Sequence, residues 1–118
     1  MAKAIHWPKE FEAIVRAEDT TALCCAIRPG TLYYDNRYWV EGEVVDIRVN
    51  HEIIRKAVVV GEMKCGSINS LNASDFSAHK PGLQSVEAIV KHLSERYEQD
   101  FFPESAVSVV YYKNLPMA

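Results

Sequence analysis

The sequence lacks the features that would place the protein in a membrane, in a secretory compartment or around a metal. No apolar run approaches the roughly 20 residues of a membrane-spanning helix. The opening letters MAKAIHW contain no apolar core of the kind found in secretory signal peptides. There are only three cysteines, and their spacing matches neither a disulfide framework nor a zinc motif. We therefore expect a cytoplasmic protein with reduced thiols, no membrane contact, no metal and no cofactor.

Two further absences narrow the function. There is no glycine-rich phosphate loop and no Gly-x-Ser-x-Gly nucleophile motif. The formal net charge is −3, which argues against a strongly basic protein that binds nucleic acid through many phosphate contacts. A single local basic groove stays compatible with that charge.

The 118 residues have the composition of an ordinary globular protein, with 48% hydrophobic and 25% charged residues. A chain of this length has enough residues for one hydrophobic core. We find no internal repeat, low-complexity tract or linker. The expectation is one domain over residues 1–118.

Two segments show the periodicity of helices. Pro8–Ala17 reads PKEFEAIVRA, with a proline suited to a first helical turn and apolar residues three and four positions apart. Ser85–Gln99 reads SVEAIVKHLSERYEQ, with a serine suited to the N-cap and one apolar stripe. Both patterns predict helices with one face against a core.

Most other segments are rich in β-forming residues. Strands are predicted at Thr20–Ile27, 32–34, 38–49, 51–65 and Ala106–Tyr112, with a break at Asn50 and His51. A long polar loop follows Cys65, with one helical turn near its middle. Several strands with two helices predict an α+β protein, built as a small β-barrel of five to six strands with the two helices packed on it. The C-terminal strand would return to an earlier strand and help to close the barrel.

The adjacent Cys24 and Cys25 lie in the first predicted strand, TTALCCAI, where alternation directs them to opposite faces. Buried free cysteines usually pack as small hydrophobic residues. A reactive thiolate would need a cationic neighbour, for which Arg16 and Arg28 are the local candidates. We expect packing rather than reactivity.

The order of these elements resembles the ASCH-domain family, a branch of the PUA-like superfamily of small RNA-associated β-barrels. The similarity is carried by the segments GEVVDI, AVVVGEMKC, the long helix from Ser85 and SAVSVVYY. Family members have a Gly-x-Lys-x-x-Glu-x-Arg type of motif between the first helix and the first barrel strand, and it is largely missing here. Thr20 matches a frequent threonine of that motif, while Asp19 stands at its lysine position.

The resemblance implies a module that binds RNA, a nucleotide or a modified nucleoside in a pocket at the barrel mouth. Basic residues that suit such a partner are Arg48, Arg55, Lys56, Lys64 and Lys80. The residues predicted to bind the ligand are Thr20, Thr21, Arg28, Tyr33 and Lys64, with Tyr33 as a stacking surface.

Two alternatives stay open at this point. Some ASCH relatives are small amidohydrolases, so a hydrolase or nuclease acting on a nucleoside or RNA is one, with Lys64, Asp75 and His79 as candidate catalytic residues. The other is a protein-interaction module without a small ligand, using the acidic helical face between Glu87 and Glu98.

Overall fold

The computed structural model describes residues 3–30, 39–72, 74–75, 80 and 82–116. The predicted strand at 32–34 therefore lies outside the described residues. None of the helices in the described ranges has both the length and the apolar character needed to cross a bilayer. The elements in chain order are β1 (Ala4–Trp7), a 3-10 turn (Lys9–Phe11), α1 (Glu12–Ala17), β2 (Cys24–Pro29), β3 (Val44–Val49), β4 (Glu52–Val59), β5 (Lys64–Ser67), a second 3-10 turn (Ile68–Ser70), α2 (Val86–Tyr97) and β6 (Ala106–Asn114).

The six strands form one sheet in the order β1-β3-β4-β6-β2, and β5 also pairs with β6. Only β1 and β3 run parallel among these pairs; the other ladders are antiparallel. The predicted α+β class is confirmed, and the described residues contain six strands and two α-helices. The last strand does return to earlier strands, because β6 pairs with β2, β4 and β5.

In the part of the chain that the structure describes, the sheet is not closed into a barrel, so that part of the prediction was wrong. β1 and β2 stand at its two edges. In place of a backbone ladder, the Arg28 side chain crosses the gap, and its Nη2 donates a hydrogen bond of 2.6 Å to the carbonyl oxygen of His6. The same guanidinium lies over the Trp7 ring, 5.2 Å from its centroid. We call this gap between β1 and β2, bridged by Arg28, the seam.

The hairpin between β3 and β4 turns at the predicted break. Val49 pairs with Glu52, which leaves Asn50 and His51 as a two-residue loop. Both have positive φ, at 51° and 69° respectively, as a type I′ turn requires. The predicted long strand 51–65 is interrupted beyond β4 at Gly61, where φ is +75°. Beyond Gly61 the chain resumes as a separate strand, β5, which pairs with the first half of β6.

The two predicted helices are both present. The Ser85 Oγ accepts a hydrogen bond of 3.1 Å from the Ala88 amide, so the serine caps α2 as expected. Ile89 and Leu93 are buried in the hydrophobic core. In the other predicted helix, Pro8–Ala17, Lys9–Phe11 form the 3-10 turn and only Glu12–Ala17 are α-helical.

The first predicted strand starts later than its sequence pattern indicated. The Asp19 carboxylate accepts hydrogen bonds from both the backbone amide and the hydroxyl of Thr21, at 2.8 and 2.9 Å. This local turn competes with extended backbone, and β2 begins only at Cys24. Cys24 and Cys25 are buried, as predicted, and burial raises their thiol pKa values to about 11 and about 12.

Candidate functional site

A cavity of about 330 Å³ opens at the seam. We call it the seam cavity. It lies between the edges of β1 and β2, the β3–β4 turn and the α2 helix. Its basic lining residues are His6, Arg28, His51, His92 and Arg96. Its floor is apolar, since Trp7, Ile27 and Leu93 line it and are each at most 4% exposed.

Each basic group reaches the seam cavity from a different local structure. His6 and Arg28 come from the two edge strands, and His51 comes from the tight β3–β4 turn. His92 and Arg96 are four residues apart on α2, so they lie on one face of the helix. The ring of His92 meets the Phe11 ring edge-on, with centroids 5.8 Å apart. Five basic side chains from four parts of the chain therefore share one concavity.

The electrostatics of the seam cavity follow from this crowding. Burial lowers the pKa of His6, and the nearby charges of Arg28 and Arg96 lower it further. Burial also lowers the pKa of His92; the Glu10 carboxylate opposes this shift, and the same two arginines support it. At neutral pH the two imidazoles are therefore largely neutral, whereas the guanidinium groups stay charged. An anion entering the cavity would meet positive charge over a floor of low polarity.

A second polar cluster brings together two residues that the sequence analysis had named as candidates. The Lys64 Nζ lies 2.5 Å from the Asp75 Oδ2. The Tyr111 hydroxyl donates to the Asp75 Oδ1, and the Asn72 backbone N–H donates to the Oδ2 at 2.9 Å. Asp75 is 2% exposed, so the cluster holds a buried carboxylate with three donors.

The pKa shifts in this cluster determine which of its groups are charged at neutral pH. Burial raises the pKa of Asp75, but the hydrogen bonds from Lys64 and Tyr111 outweigh burial and leave the pKa below its usual range. Burial lowers the pKa of Lys64, and its hydrogen bonds to Asp75 and Tyr111 raise it above the ordinary value. Both groups thus keep their charges at neutral pH, whereas a general base works best with a pKa near the working pH. The catalytic roles of Lys64 and Asp75 stay predictions, and His79 lies outside the described residues.

A third polar cluster was missed by sequence reasoning. The Lys80 Nζ lies 2.6 Å from the Glu18 Oε2 and donates a hydrogen bond of 3.0 Å to the Tyr112 hydroxyl. It also lies over the Trp7 ring, 4.3 Å from the centroid. The Lys80 side chain is fully buried, so it forms no part of a basic surface. Arg55 is buried as well, and it donates to three carbonyl oxygens at 2.9–3.0 Å.

No family model matches the sequence, and no curated protein matches it. Among solved structures, the fold is similar to the ASCH domain from Lactobacillus crispatus JV V101. The TM-score is 0.62 at 13% sequence identity, with 95% of this chain and 78% of that chain covered. The protein has an ASCH-like fold. A protein from Enterococcus faecalis V583, assigned to the DUF984 family, is also similar, with a TM-score of 0.59 at 11% identity; the match covers 81% of this chain and 63% of that one.

In this ASCH-like fold the residues predicted to bind a ligand do not meet in one place. Arg28 lines the seam cavity, whereas Lys64 belongs to the Asp75 cluster. Thr20 and Thr21 lie in the turn before β2. Tyr33 lies outside the described residues.

Sequence reasoning missed four of the five basic groups of the seam cavity. The spacing of His92 and Arg96 on a predicted helix was the one local signal available for them. His6 and His51 come from a short edge strand and from a turn, and no sequence pattern connects them to each other or to α2.

Proposed function

We propose that the protein binds RNA or a nucleotide and holds a phosphate group in the seam cavity. The observation that carries this proposal is the convergence of five basic side chains over a buried apolar floor. Arginine binds phosphate through a planar fork of donors, and histidine adds N–H donors from either ring nitrogen. A low-polarity floor strengthens those interactions, because the local dielectric constant is lower than in water.

The size and the rim of the seam cavity support the same proposal. Its volume of about 330 Å³ is at the lower end of the roughly 300–1,000 Å³ of small-molecule sites, which suits one nucleotide. Tyr97 lines the cavity and is 41% exposed, so its ring offers a face on which a base can stack. The ASCH-like fold agrees with this proposal by analogy only, since folds host many functions.

The test is a titration with uridine monophosphate and with a short single-stranded RNA, followed by amide NMR shifts at low and high salt. We expect shifts at the seam cavity that weaken as salt rises, because phosphate contacts release counterions. Arg96→Gln should weaken binding about tenfold. Lys91→Gln removes the same charge from an exposed position on the same helix that does not line the cavity, and it should leave affinity unchanged. No shifts with either ligand, or equal effects of the two variants, would contradict the proposal.

Hydrolysis of a nucleoside or RNA is a second candidate function, because Lys64 and Asp75 are in contact and, being charged, would stabilise charge in a reaction rather than transfer protons. Turnover that disappears in Asp75→Asn, while nucleotide binding persists, would support it. Equal rates in the variant and the natural protein would remove Asp75 from any catalytic role.

A further inference from the structure

The seam cavity also indicates which part of a nucleotide it takes, an inference that rests on the function proposed above. We propose that it selects a terminal phosphate, the phosphomonoester of a nucleotide or of an RNA end, over the phosphodiester within an RNA strand. Both ligands would contact the same basic groups. The preference between them therefore depends on the charge of the ligand, on the size of the cavity and on the protonation of the histidines.

The charge of the seam cavity suits a terminal phosphate. A phosphomonoester carries about −1.5 to −2 charges near pH 7 and presents three acceptor oxygens. A phosphodiester carries a single negative charge. Arg28 and Arg96 supply two permanent positive charges, and each of the histidines can add a donor. The pair of guanidinium groups therefore balances a dianion more fully than a monoanion.

The shape of the seam cavity points the same way. An internal phosphodiester has a nucleoside on each side, and both must leave the site. The Arg28 bridge to the His6 carbonyl lies across the seam, and the floor of Trp7, Ile27 and Leu93 is buried. A cavity of about 330 Å³ bounded in this way holds about one nucleotide. The end of an RNA strand fits the cavity. An RNA strand that continues on both sides of the phosphate has to leave the cavity over its rim.

The backbone of the β3–β4 turn supports a binding role for His51. Asn-Gly is the favoured pair for this turn type, yet the second position is a histidine with a φ of 69°. A left-handed backbone is unfavourable for residues other than glycine, because Cβ comes close to the following carbonyl oxygen. Such strain is typical of functional positions. The Arg48 Nη1 donates a hydrogen bond of 2.9 Å to the His51 carbonyl oxygen and so holds the turn beside the cavity.

Protonation couples to binding through the other two histidines. His6 faces Arg28 from β2, Arg48 from β3, His51 from the turn and Arg96 from α2. His92 faces Arg28, Arg96, Glu10 next to α1 and Glu95 on its own helix. An incoming dianion counteracts the arginine charges, so it favours protonated imidazole and binding takes up protons. Affinity for a terminal phosphate should therefore fall as pH rises above the lowered pKa values that His6 and His92 have in the free protein.

The experiment compares three versions of one short RNA: with hydroxyls at both ends, with a 5′-phosphate, and with a 3′-phosphate. Inorganic phosphate and uridine monophosphate are titrated beside them by calorimetry. We expect at least one phosphorylated end to bind about tenfold more tightly than the unphosphorylated RNA, with a preference that shrinks at higher pH. We also expect uridine monophosphate to bind more tightly than inorganic phosphate.

The variants separate this inference from the proposed function. His51→Gly suits the left-handed turn, so it should fold well while lowering the preference for the phosphorylated end. Arg96→Gln should lower it too, and Lys91→Gln should not. If all three RNAs bind equally through Arg96, the proposed function stands and this inference fails. If no RNA or nucleotide binds, both fail. Inorganic phosphate binding as tightly as uridine monophosphate would also overturn the inference, because the nucleoside would then contribute nothing.

Discussion

The buried ion pair between Lys80 and Glu18 gives a sharp prediction about stability. The two side chains are 0% and 16% exposed, and their charged atoms are 2.6 Å apart. Removing one partner of a buried pair leaves the other charge without compensation, which typically costs about 3–5 kcal/mol. Total stabilities of proteins are about 5–15 kcal/mol, so such a loss is readily measured.

The two single substitutions should have similar costs, for different reasons. Glu18→Gln leaves a fully buried ammonium, but the glutamine oxygen, the Tyr112 hydroxyl and the Trp7 ring still interact with it. We therefore expect a cost near the lower end, about 3 kcal/mol. Lys80→Met leaves a carboxylate that is partly exposed and that still accepts from the Asn114 amide at 3.2 Å. Its cost should be about 3 kcal/mol as well, with the lost packing of Lys80 recovered by methionine.

The assay is a double-mutant cycle on the free energy of unfolding in urea. The double variant Glu18→Gln, Lys80→Met should be more stable than the sum of the single costs implies, by about 2 kcal/mol. The exposed pair Lys9 and Glu12 is the control, since its atoms are equally close, at 2.5 Å, but Lys9 is 73% exposed. Removing that pair should leave the unfolding midpoint unchanged. Single costs below about 1 kcal/mol, or strictly additive ones, would refute the reasoning.

Three further predictions concern other parts of the protein. His51→Gly should raise the thermal midpoint by about 4 °C, as relief of about 1 kcal/mol of backbone strain implies; a lowered midpoint would contradict this. Of the three thiols, only the exposed Cys65 should react rapidly with a disulfide reagent at pH 8, because Cys24 and Cys25 are buried with raised pKa values; Cys65→Ser should abolish that fast phase. The pKa of Asp75 is lower in the folded state than in the unfolded state, so its contribution to stability is full above about pH 5 and is lost as pH falls through the folded value. Unfolding of Asp75→Asn, followed by circular dichroism, should depend less on pH in that range than unfolding of the natural protein, and an identical dependence would count against the cluster.

The elements with strong local patterns were predicted well. The α2 helix carries its own capping serine and an apolar stripe, and the β3–β4 turn falls where an Asn-His pair separates two valine-rich runs. Such features depend on neighbours in the sequence. β1 has only four residues, and its partner β3 lies far along the chain, so no local periodicity predicts it. The open seam likewise depends on a contact between Arg28 and His6, which alternation within one strand does not encode.

The candidate sites also differ in whether their residues are close to each other in the sequence. Lys64 and Asp75 are close in sequence, on a strand and in the loop that follows; both were named as candidate catalytic residues, and the fold brings their charged groups into contact. Glu18 and Lys80 are 62 residues apart in sequence, and neither has a charge pattern that indicates burial. The seam cavity draws on three strand and turn segments and a helix. Only the folded topology brings such residues to one place.

The central position of β6 has a consequence for how the protein is made. Three earlier strands obtain hydrogen-bond partners from β6, and it follows all of them in the chain. During synthesis, the backbone groups of β2 and β5 that pair with β6 therefore lack this partner until β6 has been made. Folding that depends on such distant partners is slow, and unpaired strands are prone to aggregate. The pairing of β2 and β5 can therefore be completed only once β6 has been synthesised.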